Sequence, residues 1–384
     1  SKSFLHLLPL DTIEVNNRTV NYGKTRRILS GHEVGDTRPY MVYMRPAPAA
    51  DPKIAETNWL CGGVIIHERY ILTSAACIED ARNFYVISGT HRWVPASEKS
   101  DECVNNGAKK AIWKCVPKSY YFDGEEFDNI RWMAGDIAVV KVEDSFNFEK
   151  RVRGCDFIPK KIDYNNQSTS FEKAKTVASI AGWGSTEAFG DIVERSTQNS
   201  LELMETDVVV ISTKNCKRRW DPRYHYIIEE HMICTKDSSD DEAMSAMCAD
   251  HEVDCKELVY SDEDASDQDD ETFIRRILDP DKMQVHVSGH VDSRRKTSSG
   301  GFCENDHGGP LVVGQGKSSI VIGIISACMT RDIRNKCYGP YLFTSVYKHR
   351  LLITCAINKD TNSGRDPTIK KIRVPQKHKP NNSE

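Results

Sequence analysis

Two side chains could transfer protons, the carboxylate of Asp136 and the imidazole of His307. Each lies in a short segment that contains glycine. Asp136 lies between Gly135 and a run of Ile, Ala and Val, and His307 lies between Asp306 and a Gly-Gly-Pro sequence. Such groups transfer protons, and together with a hydroxyl they carry out acyl transfer. Neither segment contains a serine.

The surrounding chain consists mostly of short segments with the composition of β-strands. Phe84–Ser88, Thr176–Ala181, Ser200–Ile211 and Ser319–Ala327 are rich in Val, Ile and aromatic residues, and clusters of turn-forming residues bound them. Regular short strands without long helices between them predict a barrel or a sandwich. One late helix is predicted around Val346–Ile357, where the apolar residues share one face only loosely.

Six local motifs follow one another along the chain. They are Ile28–Gly31 directly after Arg27, Cys61–Ile66 leading to Ile71–Cys77, Gly135–Val140, Ala181–Gly184, Cys303–Pro310 and Gly339–Thr344. In this order, over roughly residues 28–357, they resemble the trypsin/chymotrypsin family of serine proteases. The resemblance implies an all-β fold of two packed antiparallel six-stranded β-barrels with a C-terminal helix.

Two of the family's three catalytic positions are changed. The family's histidine lies just before the second cysteine of a Leu-Thr-Ala-Ala-His-Cys segment, where this chain has Ala76. The nucleophilic serine follows an aspartate and precedes Gly-Gly-Pro, where this chain has His307, so only the triad aspartate is kept, as Asp136. Alanine can neither accept nor return a proton, and an imidazole supplies no hydroxyl. We therefore expect that the protein is not an enzyme.

The resemblance implies further changes in the substrate cleft. The family's oxyanion hole uses the N–H of a glycine two residues before the serine, where this chain has Asn305. The base of the specificity pocket is Gly301, not the aspartate that selects Lys or Arg. The strand that pairs with substrate reads Ser326, Ala327 and Cys328, so a cysteine side chain is expected to narrow the mouth of this degenerate pocket.

The parts of the family's activation switch are all present. Arg27 precedes Ile28, and Asp306 matches the aspartate that pairs with the new N-terminal ammonium after cleavage. A buried ammonium–carboxylate pair would order the loops around residues 300–310. Two interpretations remain: cleavage after Arg27 switches the conformation without releasing activity, or Arg26 and Arg27 are only an exposed dibasic pair and Asp306 caps a turn.

The thirteen cysteines predict a disulfide-bonded protein from an oxidising compartment, in which at least one thiol is unpaired or pairs with another chain. The resemblance implies the bridges Cys61–Cys77, Cys216–Cys234 and Cys303–Cys337. Further candidate pairs are Cys155–Cys355, Cys103–Cys115 and Cys248–Cys255. Cys328 is then left over, or it bridges to Cys248 or Cys255. No Cys-x-x-Cys pair occurs, and we expect neither a bound metal nor a cofactor.

Composition divides the chain into unequal segments. The predicted parts are a propeptide-like segment 1–27, a protease-like domain 28–358 with a long insertion 235–300, and a basic, disordered tail 359–384. From Asp237 to Glu271 there are fifteen acidic residues against one Lys. This tract either faces a basic partner or is a solvated, partly disordered loop.

The compartment is expected to be extracellular, because cysteines are so frequent. Sequons at Asn17, Asn166 and Asn381 are then candidate glycosylation sites. The formal net charge of −4 argues for no particular partner, and no run of about eighteen apolar residues is present. We expect neither nucleic acid nor a membrane as a partner.

The function predicted from these residues is that of a secreted pseudoprotease, which acts by binding other proteins as a cofactor, decoy or regulator. The expected partners are an active protease, its substrate or another secreted protein. A secreted storage or structural protein that uses the fold as a scaffold is the alternative. An enzyme with new chemistry at His307 is a third hypothesis.

Overall fold

The structure is a computed structural model. It describes residues 32–33, 37–46, 61–78, 81, 83–94, 98, 100–122, 133–184, 200–237, 306–330, 337–358 and 369–374. Within these residues two closed antiparallel β-barrels are present, and the predicted fold class is confirmed.

Six strands form the first barrel: β2 (Met41–Pro46), β3 (Cys61–His67), β4 (Tyr70–Thr73), β5 (Phe84–Ile87), β6 (Lys109–Pro117) and β9 (Ala138–Val142). Their spatial order is β6-β5-β2-β3-β4-β9, and β9 pairs with β6 to close the barrel. Val, Ile and aromatic residues predominate because branched and aromatic side chains fit a pleated, half-buried surface. Those that face inward, such as Val42, Ile71 and Val140, form the barrel's own core.

Six strands also form the second barrel: β11 (Val177–Gly182), β12 (Met204–Ile211), β13 (Met232–Asp237), β14 (Pro310–Val313), β15 (Ile320–Thr330) and β16 (Cys337–Ser345). Their spatial order is β12-β11-β14-β15-β16-β13, and β13 pairs with β12 to close the barrel. Two short strands lie outside the ring: β1 (His32–Glu33) pairs with β12, and β10 (Asp163–Tyr164) runs parallel to β15. A two-stranded ribbon, β7 (Tyr121–Phe122) with β8 (Met133–Ala134), precedes β9.

A shared core fixes the two barrels against each other. The largest group of buried apolar side chains includes Tyr43 and Leu72 from the first barrel and Val312 and Ile324 from the second, and Ile353 joins it from the C-terminal helix. Burying a large aliphatic side chain contributes about 1.5–3 kcal/mol. Packing of this kind positions the loops that meet at the junction of the barrels.

The described residues contain five short α-helices, so the prediction of a single late helix was incomplete. They are α1 (Ala75–Ile78), α2 (Glu102–Gly107), α3 (Thr213–Arg219), α4 (His225–His231) and α5 (Arg350–Asn358). Side-chain caps explain two of them: Asp101 accepts from the Val104 N–H, and Ser212 accepts from the Asn215 N–H. The predicted late helix exists as α5, but it begins four residues later than expected. No described helix is both long and apolar enough to cross a membrane.

Two of the predicted disulfides are confirmed and two are wrong. Cys61–Cys77 and Cys216–Cys234 are present. Cys103 pairs with Cys155, so the predicted pairs Cys103–Cys115 and Cys155–Cys355 do not form. Pairs that involve Cys248, Cys255 or Cys303, and the side chain of Cys337, lie outside the described residues.

The geometry of β6 explains the first error. Cys115 lies six residues into this extended strand, which carries it about 20 Å from the strand's beginning next to α2. Cys103 lies in α2, and its Cα is 4.4 Å from that of Cys155. Cys115 and Cys355 are not in disulfides. Cys328 is disulfide-bonded, so the prediction that Cys328 stays unpaired is also wrong.

The tail predicted to be disordered contains an ordered strand. β17 (Ile369–Arg373) pairs antiparallel with β6, from Ile369 opposite Pro117 to Arg373 opposite Trp113. Val374 is fully buried, and its N–H donates to the Ile112 carbonyl at 2.9 Å. β5 pairs only with the first two residues of β6, so β17 satisfies the backbone groups farther along β6. The rest of segment 359–384 lies outside the described residues, as do segment 1–27 and insertion residues 238–300.

Candidate functional site

The candidate site lies where loops of both barrels meet. Ala76 is in α1, directly after β4 of the first barrel, and Asp136 lies between β8 and β9. His307 lies in the turn before β14, and Ser326 is in β15 of the second barrel. The structure thus places Ala76 and Ser326 against Asp136, and it anchors the turn of His307 to Gly62 of the first barrel.

The carboxylate of Asp136 is fully buried and accepts three hydrogen bonds. Oδ1 accepts from the Ser74 hydroxyl at 2.6 Å and from the Ala76 N–H at 2.8 Å. Oδ2 accepts from the Ser326 hydroxyl at 2.6 Å. The Thr344 hydroxyl donates to the main-chain oxygen of Asp136 at 2.8 Å. Two hydroxyls and an amide thus satisfy the hydrogen-bonding capacity of this buried carboxylate.

Ala76 provides only a methyl group at the position of the family's base. Its neighbour Cys77 is tied to Cys61 at the start of β3, and its own N–H is fixed on Asp136. The backbone at this position is therefore fixed, but the side chain has no imidazole to transfer a proton.

The turn that carries His307 keeps a tight geometry. The Gly62 N–H donates to the His307 carbonyl at 3.0 Å. Gly308 has φ +80°, which favours glycine, and a Cβ there would overlap the Gly62 carbonyl and the Thr73 hydroxyl. Its N–H donates to the Ile325 carbonyl at 3.2 Å. The partly buried imidazole thus occupies a well-defined place on a turn anchored to both barrels.

Asp306 is buried beside the glycine-rich end of β11. Its Oδ1 accepts from the Gly184 N–H at 2.7 Å. A Cβ at Gly182 or at Gly184 would overlap the Asp306 carboxylate, so the two glycines make room for it. Arg27 and Ile28 lie outside the described residues, and the activation switch stays a prediction.

The predicted pocket residues are only partly described. Ser326, Ala327 and Cys328 are buried in β15, whose pairing with β16 shifts register on both sides of Ala327. Gly301 and Asn305 lie outside the described residues. The described part of the chain holds no group of three or more His, Cys, Asp or Glu side chains that could bind a metal ion.

Sequence reasoning missed one residue of the site, Ser74. It stands at the first alanine of the family's Leu-Thr-Ala-Ala-His-Cys segment, and its hydroxyl contacts Asp136. The serine in place of the family's alanine was the signal in the sequence that could have identified this residue. Asn166 is exposed, as a glycosylated residue must be, whereas Asn17 and Asn381 lie outside the described residues.

The comparisons with known proteins point to one family. The family model described as Trypsin matches residues 37–246. Serine protease grass of Drosophila melanogaster is 30% identical over 42% of this chain and 41% of its own length. A chymotrypsin of Phaedon cochleariae is 25% identical over 49% of this chain and 57% of its own. The chain thus spans about half the length of these relatives.

A solved structure of neuropsin, a serine protease expressed in the limbic system of mouse brain, aligns with a TM-score of 0.49 and 17% identity. The alignment covers 86% of this chain and all of that one.

Proposed function

Because this chain belongs to the trypsin family, we propose that it is a non-catalytic member, a pseudoprotease that acts by binding other proteins. The observation that carries the proposal is the set of partners of Asp136. The retained carboxylate meets the hydroxyls of Ser74 and Ser326 and the amide of Ala76. In an active triad the carboxylate orients an imidazole, which takes the proton of the serine.

The changed groups are those that move protons and attack the substrate. Ala76 has no ring nitrogen to act as the base, and His307 has no hydroxyl to form an acyl-enzyme. Catalysis that survives loss of the whole triad in such proteases is small. The framework around these positions supports retention of a shaped surface, because Gly62, Gly308 and Asp306 still make close backbone contacts.

A binding function is favoured because the backbone at the junction of the barrels is held in place, whereas two of the three catalytic groups are replaced. The junction of the barrels holds the turn of His307 beside the buried strand segment of Ser326. A protein partner that fits this cleft would use the shape that substrate uses in active relatives. We propose an active protease, a protease substrate or another secreted protein as the partner.

The proposed compartment is extracellular. Three disulfides are present in the described residues, and such bonds persist in oxidising environments. We further propose that cleavage after Arg27 delivers the ammonium of Ile28 to Asp306. The burial of that carboxylate supports this proposal, and its consequence would be conformational, not catalytic.

Affinity capture from the native secretion tests the binding function. The wild-type chain, the cleft variant His307→Arg and the control variant Gln315→Arg are immobilised in equal amounts. Gln315 is exposed in the turn between β14 and β15, so its variant adds the same charge away from the cleft. We expect a stoichiometric partner on the wild type and on Gln315→Arg, and its loss on His307→Arg. Equal recovery on all three, or no partner on any, would contradict the proposal, and the second result would favour a storage or structural role.

A further inference from the structure

Two histidines outside the candidate site form a direct pair. His231 is the last residue of α4, and His349 directly precedes α5. Nδ1 of His231 lies 3.2 Å from Nε2 of His349. The two ring centroids are 5.2 Å apart, and the angle between the ring planes is 27°. Both side chains are partly buried. The pair therefore joins a helix of the second barrel to the beginning of the C-terminal helix.

The second hydrogen bond of His349 fixes the direction of the first. Nδ1 of His349 lies 2.8 Å from the Ser345 carbonyl, and a carbonyl oxygen can only accept, so this Nδ1 carries hydrogen. In a neutral ring the Nε2 of His349 is then an acceptor. The Nδ1–H of His231 donates to it. The bond between the rings therefore requires that Nε2 of His349 remain unprotonated.

Burial is the main reason that the two imidazoles resist protonation. Burial lowers the pKa of His349 to about 4, the hydrogen bond to the Ser345 carbonyl acts in the opposite direction, and the charges of His231 and Lys348 lower the pKa further. Burial and then Lys348 lower the pKa of His231, and Glu230 acts in the opposite direction. Nζ of Lys348 donates to the carbonyls of Glu229 and Met232.

One more acid faces this region from the 3₁₀ turn Thr169–Glu172. Glu172 accepts from the Ser345 hydroxyl at 2.6 Å. Burial raises the pKa of Glu172, and the hydrogen bond from Ser345 and the charge of Lys348 act against it. Glu172, Glu229 and Glu230 all act on Lys348, the residue before His349, and Glu230 also acts on His231.

The pair also lies beside the backbone that precedes the vestigial carboxylate. A Cβ at Gly135, the residue before Asp136, would lie 3.7 Å from Nε2 of His349. Ser345, which accepts from His349, follows Thr344, whose hydroxyl donates to the main chain of Asp136 at 2.8 Å. Movement of the pair would therefore reach the segment that carries Asp136.

We propose that His231 and His349 form an acid-operated latch between α4 and the turn that begins α5. At neutral pH the N–H···N bond closes the latch. A first proton from solvent adds to Nε2 of His231 and leaves the bond intact. A second proton can add only to Nε2 of His349, where two N–H groups would then face each other and the latch opens. The latch does not depend on the proposed binding function.

Hydrogen exchange on the intact chain, followed by mass spectrometry, tests the latch at about pH 7.5 and about pH 4.5. After correction for intrinsic exchange rates, peptides that cover α4 and residues 345–358 should exchange about tenfold faster at the lower pH, while β9 stays protected. His349→Gln and His231→Gln should each abolish this difference. His67→Gln, which replaces an exposed histidine, should keep it.

Equal protection of the two segments at both pH values would overturn the proposal. Equal loss in β9 would also overturn it, because the change would then be global unfolding. If both glutamine variants fail to fold, NMR titration of the wild-type imidazoles gives the answer. A His349 ring that titrates at its ordinary value, with the two segments still closed when it is charged, would rule out the latch.

Discussion

The hydroxyl of Ser326 donates to Oδ2 of Asp136 at 2.6 Å, across 190 positions of sequence. On the other oxygen, Ser74 and the backbone of Ala76 complete the set of donors. The carboxylate therefore holds a strand of the second barrel against α1 and β4 of the first. Asp136 thus has a structural role at the junction of the two barrels.

Removal of the Ser74 hydroxyl should destabilise the fold. In Ser74→Ala the buried Asp136 carboxylate loses one donor, and an underpaired buried acceptor costs about 1–3 kcal/mol. Denaturant unfolding at neutral pH measures the free energy of unfolding. Ser170→Ala, which changes an exposed residue, should stay within about 0.5 kcal/mol of wild type. Equal stability of the two variants would show that Ser74 does not support Asp136.

The stability of the protein should depend on pH through His349. The unfolded ring has a pKa of 6.5 and the folded one a pKa of about 4, so the unfolded state binds the proton first as the pH falls. The free energy of unfolding should therefore decrease between about pH 6.5 and about pH 4, by up to about 3 kcal/mol from this group.

His349→Gln isolates this contribution, because Glu172 is unchanged in it. The raised pKa of Glu172 acts in the opposite direction at the acidic end of the range. The difference in unfolding free energy between wild type and variant should shrink steadily as the pH falls through the same window. A difference that is constant with pH would contradict the assignment.

The Cys103–Cys155 disulfide should contribute strongly to stability. It closes a loop with a sequence separation of 52, and such a bridge contributes about 2–4 kcal/mol. The double variant Cys103→Ala/Cys155→Ala should lose about this much in urea unfolding. Non-reducing peptide mapping of the wild type should recover the two cysteines in one linked pair. Recovery of Cys103 linked to Cys115 would refute the assignment.

Strand β17 should be required for full stability of the first barrel. A chain that ends after residue 368 loses the pairing with β6 and the burial of Val374, at a cost of about 2–4 kcal/mol. A chain that ends after residue 376 keeps both and serves as the control. Thermal unfolding compares the two. Equal midpoints would mean that β17 does not stabilise the barrel.

The sequence predicted the barrels because the fold depends on ordered local motifs. Gly135–Val140 and Ile71–Cys77 carry their own strand and turn signals, so the segments of Asp136 and Ala76 could be placed next to β9 and β4 without coordinates. The turn of His307 was equally recognisable, because Gly308, Gly309 and Pro310 follow it. The structure gives Gly308 a positive φ, which glycine adopts readily.

The errors concern contacts between residues distant in the sequence. Spacing along the chain did not reveal that β6 carries Cys115 away from Cys103, or that Cys155 approaches from another loop. β17 is only five residues long, and its alternation is too brief to distinguish it from a solvated tail. His231 and His349 are 118 positions apart, and neither lies in a motif.

The central claim is that this chain cannot form an acyl-enzyme, and a fluorophosphonate probe tests it most directly. The purified intact chain is treated before and after limited cleavage following Arg27, with active trypsin as the positive control and heat-denatured protein as the background. Intact mass spectrometry should show no adduct above background in either form, because Ala76 supplies no base and His307 supplies no hydroxyl. One phosphonate per chain, located on a serine near Asp136, would contradict the account.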